Sequence, residues 1–150
     1  MNPEENRTYT IVIVDDSKED RYLLKRFLKK TGLPLEILEA VNGLEAINLL
    51  TQSLDKLKAE HPAISQQAVL FLDINMPIMN GWEFVAELDA RQSEVALEST
   101  VVVMYSTSDA SYEKEKAKNF PTVVSYIVKG ETSPEQLKQL IVAYRTDIGE

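Results

Sequence analysis

The chain has 150 residues and is 44% hydrophobic, enough for one domain with a buried core. Its net charge of −8, from 24 acidic and 16 basic residues, argues against the phosphate-neutralising surface of a nucleic-acid binder. It has no cysteine, so disulfides and thiolate metal sites are excluded; no apolar run approaches the ~20 residues of a membrane helix. Met1 to Arg7 is polar and acidic, with none of the character of a signal peptide, so a cytoplasmic protein is expected. Residues 1–8 read as a polar tail and 9–146 as one domain, with no output domain attached.

Tyr9 to Val14 is a nearly continuous apolar run, the pattern of a parallel strand covered on both faces. It ends at the acidic pair Asp15-Asp16. Ser17-Lys18-Glu19-Asp20 then resembles a capping box. The first predicted helix carries Leu23, Leu24, Phe27 and Leu28 as its apolar stripe and stops at Gly32. The basic clusters Lys25-Arg26 with Lys29-Lys30, and Lys114-Glu115-Lys116 with Lys118, are short and mixed with acids and read as solvated helix faces. Leu35 to Ala40 alternates, as an edge strand does. From Leu44, the spacing of Ile47, Leu50, Leu54 and Leu57 predicts one long second helix, stopped by Pro62. Glu60 to Gln67 is a long polar connection. The only histidine, His61, reads as a surface loop residue, and a zinc site is not expected.

Ala68 to Leu72 is the second buried strand, and Asp73 stands at its end, before Ile74-Asn75-Met76-Pro77. A third helix begins near Gly81 and carries Phe84, Val85 and Leu88; Met79 and Trp82 read as packing or partner contacts. Thr100 to Tyr105 is a strand followed by Ser106-Thr107-Ser108. Ala110 to Asn119 reads as a fourth helix. Val123 to Val128 is the last strand, another nearly continuous apolar run that reads as covered on both faces, and is followed by Lys129; the fifth helix has Ser133 as N-cap and Pro134 at its first position, with Leu137, Leu140, Ile141 and Tyr144 inward.

Strand and helix alternate five times, which predicts an α/β fold with a doubly wound five-stranded parallel sheet. In the flavodoxin-like order 2-1-3-4-5 the first and third strands are neighbours, and ligands sit outside their carboxyl ends. Asp15, Asp16 and Asp73 then share one site. Clustered carboxylates call for a hard cation, and an oxygen-only donor set favours Mg²⁺. Ser106 and Thr107 supply hydroxyls and Lys129 a point charge, which together make a pocket for an aspartyl phosphate.

These motifs, Val14-Asp15-Asp16-Ser17, Leu72-Asp73-Ile74-Asn75-Met76-Pro77, Met79-Asn80-Gly81, Met104-Tyr105-Ser106-Thr107 and Tyr126-Ile127-Val128-Lys129, resemble the receiver domain of two-component response regulators, in particular the stand-alone, chemotaxis-regulator-like kind. The resemblance spans roughly residues 8 to 146. It implies Asp73 as phosphoacceptor, with Mg²⁺ held by Asp16, Asp73 and the backbone carbonyl of Asn75, and by Asp15 through a water. It implies Ser106, Thr107 and Lys129 on the phosphoryl oxygens, and Ser106 and Tyr126 as the switch that remodels the surface of the fourth helix, fifth strand and fifth helix. The implied partners are a sensor histidine kinase or phosphotransfer protein and a downstream protein target, with no nucleic acid and no membrane. The implied activity is phosphoacceptance with slow autodephosphorylation rather than turnover of a substrate. One departure stands out: Gly130 follows Lys129, where the family usually has proline after a cis peptide.

Two other readings compete. A pseudo-receiver would be a phosphorylation-independent scaffold of the same fold. A phosphohydrolase of the haloacid-dehalogenase type wants Asp-x-Asp after the first strand, and the chain has Asp15-Asp16-Ser17 there. No glycine-rich phosphate loop is present.

Overall fold

A computed structural model describes residues 8–97 and 99–144. Most of the tail at 1–8, and the last residues of the expected domain at 145–146, lie outside the described residues. Five parallel strands form one sheet in the order β2-β1-β3-β4-β5: β1 (Tyr9–Val14), β2 (Leu35–Ala40), β3 (Gln67–Leu72), β4 (Ser99–Ser106) and β5 (Val123–Val128). The helices are α1 (Lys18–Lys29), α2 (Gly43–Leu50), α3 (Leu54–Glu60), α4 (Gly81–Ala90), α5 (Ser111–Ala117) and α6 (Pro134–Ala143). The sheet order and alternation are those expected from the sequence.

The two faces of the sheet bury separate cores. Ile11, Ile13, Val69, Phe71, Val103 and Tyr105 pack against Leu24 and Leu28 of α1 and Leu137 and Ile141 of α6. Val12, Val14, Leu70, Leu72, Val102 and Met104 pack against residues of α2, α3, α4 and α5, with Phe84, Val85 and Leu88 at the centre. Each of β1, β3 and β4 is thus covered on both faces, which is why their sequences read as continuous apolar runs.

Four local features differ from the sequence reading. The long second helix is two helices. Thr51 ends α2, its hydroxyl donating to the Ile47 carbonyl at 2.8 Å, and Ser53 caps α3 by accepting from Lys56 N–H. Leu50 and Leu57 are both buried, so the apolar spacing runs across the break without recording it. On α1, Leu23 is half exposed and faces away from the core. β5 packs on both cores but, as an edge strand, is only half-buried at every residue rather than fully buried. His61 is the half-buried last cap of α3, with its Nδ1 3.1 Å from Glu36 Oε2 on β2.

Candidate functional site

β1 and β3 are in register, Val14 beside Leu72, so the residues that follow them emerge side by side. Asp15 and Asp73 are buried and Asp16 is exposed. Asp15, Asp16 and Asp73 bring carboxylate oxygens within 4.8 Å of one another. The backbone fixes the cluster. Asp73 N–H donates to the Val14 carbonyl at 2.9 Å, and Ile74 N–H donates to Asp73 Oδ1 at 2.9 Å. Gly81 N–H donates to the Ile74 carbonyl at 2.8 Å and so ties the start of α4 to the same loop. Between them Met79 N–H reaches the Pro77 carbonyl at 2.8 Å, closing a γ-turn centred on Ile78. Ile78 has φ +70°, a conformation that strains a β-branched residue, and is 75% exposed.

Lys129 enters from the end of β5. Its Nζ donates to Asp15 Oδ2 at 2.6 Å and to Asp20 Oδ2 at 2.9 Å, and stands 3.7 Å from Asp73 Oδ1. The departure at Gly130 therefore does not misdirect the lysine. Among the described residues no peptide is cis; Gly130 takes φ +85°, which a proline cannot adopt. Burial pulls the ammonium towards neutrality, but the hydrogen bonds to Asp15 and Asp20 outweigh it and hold its pKa above the ordinary value.

Ser106 ends β4 fully buried, and its Oγ accepts from Ser108 N–H at 3.2 Å. The Ser108 carbonyl in turn accepts from the Tyr126 hydroxyl at 2.8 Å. Thr107 and Asn75 are exposed at the rim. Trp82 and Met79 pack against the core beneath, Trp82 stacking on Phe120 with ring centroids 5.8 Å apart.

The sequence reading missed two contributors, Asp20 and Arg21, and quoted a third, Gly81, in a motif without a role. Asp20 belongs to the site through Lys129. Arg21 Nη1 donates to the Asp15 carbonyl at 2.8 Å, while its Nε holds Glu39. Gly81 gives the Asp73 carbonyl room that no side chain would leave. Helix geometry signals the first: side chains in the first turn of a helix lean back towards its N-terminus, and the N-terminus of α1 faces the cluster.

Asp73 is pushed up from its ordinary 3.8 to about 6, first by burial and then by the charge of Asp15, with Lys129 opposing. The raised value means that the metal-free fold favours the protonated carboxyl. Its stabilising contribution is full below pH 3.8 and is lost as pH rises through about 6. Asn keeps an acceptor for Ile74 N–H and carries no charge. Asp73→Asn is therefore expected to stabilise the metal-free protein by about 1–2 kcal/mol at neutral pH, after discounting for solvent screening. Thermal melts in a chelator should show the gain above pH 6.5 and its disappearance near pH 4; a gain that grows on acidification would contradict the assignment.

A parallel sheet in this order, with acids at its first and third strand ends and lysine after its fifth, defines a receiver-type α/β domain. The model of the response regulator receiver domain matches residues 11–142, and the chain belongs to that family. A chemotaxis protein CheY homolog of Campylobacter jejuni is 35% identical over 129 residues, 86% of each chain. The sensor histidine kinase CheAY of Helicobacter pylori is 36% identical over 95 residues, 59% of this chain but only 10% of that protein. The crystal structure of the phosphorylated cyanobacterial phytochrome response regulator RcpA superposes with a TM-score of 0.65 at 27% identity, covering 91% of this chain and 90% of that one. Receiver domains of this family bind Mg²⁺ at an acidic pocket, and CheY-like regulators act with histidine kinases and downstream targets. The donor set here fits such an ion: three carboxylates, all oxygen, converging from two strand ends. No helix among the described residues is long and apolar enough to cross a membrane.

Proposed function

We propose that this chain is a CheY-like response regulator that accepts a phosphoryl group on Asp73 from a phosphohistidine of a sensor kinase or phosphotransfer protein. One observation carries the reading: a strand-end carboxylate lies between two further carboxylates and an ammonium 3.7 Å away. Asp73 Oδ1 is engaged by Ile74 N–H, which leaves its second oxygen as nucleophile. That oxygen attacks phosphorus, the P–N bond breaks, and the histidine nitrogen departs with its electron pair and takes up a proton from solvent. Asp16, Asp73 and the carbonyl of Asn75 would hold Mg²⁺, with Asp15 acting through a water. Bound there, Mg²⁺ supplies charge neutralisation for the carboxylate and for the incoming phosphoryl oxygens. Lys129 pairs with one phosphoryl oxygen, and Ser106 and Thr107 offer hydroxyls to others.

The output rests on a short hydrogen-bonded relay, Ser106 Oγ to Ser108 N–H and the Ser108 carbonyl to the Tyr126 hydroxyl. Drawing Ser106 towards a phosphoryl group breaks the first link and frees Tyr126 to turn. The face of α5, β5 and α6 then changes, and phosphorylation acts by shifting the population between two arrangements. The second predicted helix has divided in two, so α5 and α6 are the fourth and fifth helices of the sequence reading.

Incubation with acetyl phosphate and Mg²⁺, followed by intact-mass measurement, tests the proposal. The wild type should gain one phosphoryl mass that decays slowly after donor removal, and Asp73→Asn should gain none. An unmodified wild type would favour the phosphorylation-independent scaffold, and an adduct on Asp73→Asn would move the acceptor elsewhere.

A further inference from the structure

We propose that Asp20 is a positioning residue: it holds the Lys129 ammonium at the rim of the carboxylate cluster and so keeps the cluster open to a divalent cation. The inference rests on the site reading given under Proposed function.

An ammonium a few ångströms from Asp73 competes with a divalent cation for the same oxygens. What fixes its position therefore sets how readily the cluster binds metal. The backbone holds the start of this side chain, with Lys129 N–H on the Ser106 carbonyl at 2.7 Å and Glu131 N–H closing a turn on the Val128 carbonyl at 3.1 Å, but it does not fix the end of a long, flexible one. Gly130 is exposed, takes φ +85°, and has nothing within 4 Å of where a Cβ would stand. Side-chain partners must place Nζ instead. Asp15 is one, at 2.6 Å, but Asp15 is itself a member of the cluster. Among the described residues, Asp20 at 2.9 Å is the carboxylate outside the cluster that bonds this ammonium. The Tyr105 ring, 5.8 Å away, adds a weaker contact.

Asp20 is free for this task for a local reason. In a capping box, the acidic side chain at this helical position returns to the N-cap N–H. Here Ser17 N–H is already satisfied by Asp15 Oδ1 at 2.9 Å. Only half of the expected box forms: Ser17 Oγ accepts from Asp20 N–H, and the Asp20 carboxylate is released towards Lys129. Without that carboxylate, the only carboxylate partners left to Nζ among the described residues are Asp15 and Asp73, within the cluster, and it screens them from metal.

The test is a double-mutant cycle on Mg²⁺ affinity, measured by titration calorimetry on the full chain. Asp20→Asn should weaken Mg²⁺ binding about fivefold when Lys129 is present and by less than about twofold in a Lys129→Met background. Asp20→Glu, which keeps the carboxylate, should restore most of the loss. Equal weakening in both backgrounds would show only the field of one lost charge and overturn the proposal, as would no weakening in either. If circular dichroism shows that the Lys129→Met pair does not fold, the cycle is repeated with Lys129→Gln. The two readings fail separately. A wild type that takes no phosphoryl adduct sinks the phosphoacceptor assignment, whereas a wild type that takes one but gives an additive cycle sinks the role of Asp20.

Discussion

Lys129→Met is expected to destabilise the metal-free protein by about 2–3 kcal/mol, with Mg²⁺ recovering much of the loss. The ammonium is bonded to Asp15 and Asp20 and lies 3.7 Å from Asp73. Methionine has a similar length and flexibility, so packing changes little, while the charge is lost. What remains is three carboxylates with oxygens within 4.8 Å of one another and no cation. Removing one partner of a fully buried pair costs about 3–5 kcal/mol; the exposed edge at Asp16 and the partial exposure of Asp20 lower that figure. As the proposed ligand of the folded cluster, Mg²⁺ should stabilise Lys129→Met by more than it stabilises the wild type. Added salt should also narrow the gap between them. Urea melts at neutral pH, with and without millimolar Mg²⁺, check this. A variant as stable as the wild type in chelator would mean that the carboxylates do not depend on Lys129.

How much of this was readable beforehand differs from residue to residue. β1, β3 and β4 are buried on both faces, and their composition alone announces them. Asp15, Asp16 and Asp73 follow because each stands where an apolar run stops. α3 was hidden because apolar spacing reports which face is buried, not where the backbone is capped. Only Thr51 and Ser53, two hydroxyl residues inside an apparently continuous stripe, betray the break.

Tyr126 shows a deeper limit. Strict alternation would place Val124 and Tyr126 on the same face of β5. The pairing of β5 with β4 slips between Val102 and Val103, Val102 facing Val123 but Val103 facing Ser125. Val123 and Tyr126 therefore share one core, and Val124 and Ile127 the other. A bulge of this kind depends on the partner strand and leaves no mark in the pattern of a single strand. Asp20 escaped for a comparable reason. Its role depends on Asp15 having taken the N–H that a capping carboxylate would normally seek.

Gly81 is where a substitution that favours the helix should damage the site. Gly81 is the first residue of α4, and alanine in a helix is ordinarily preferred over glycine by about 1 kcal/mol. Here a Cβ would lie 2.5 Å from the Asp73 carbonyl oxygen and 2.9 Å from the Ile74 Cα. Both are backbone atoms of the loop that carries Asp73, so neither can step aside by changing a rotamer. Asn80 and Glu83 hold the start of α4 in a complete capping box, which resists movement from the other side. Gly81→Ala is thus expected to destabilise by about 2–3 kcal/mol, the range for overpacking, and to lower Tm by about 5–10 °C. Because the displaced atoms belong to Asp73 and Ile74, Mg²⁺ affinity and the rate of adduct formation should fall with it. Gly32→Ala is the control. Gly32 also has a positive φ, +77°, but nothing lies within 4 Å of its Cβ position, so only backbone strain of about 1 kcal/mol applies. Thermal melts and Mg²⁺ titrations of the two variants separate the cases. Gly32→Ala should lose a little stability and keep its Mg²⁺ affinity, while Gly81→Ala should lose both. A Gly81→Ala protein as stable as the wild type would show that α4 can shift away from Asp73 at no cost.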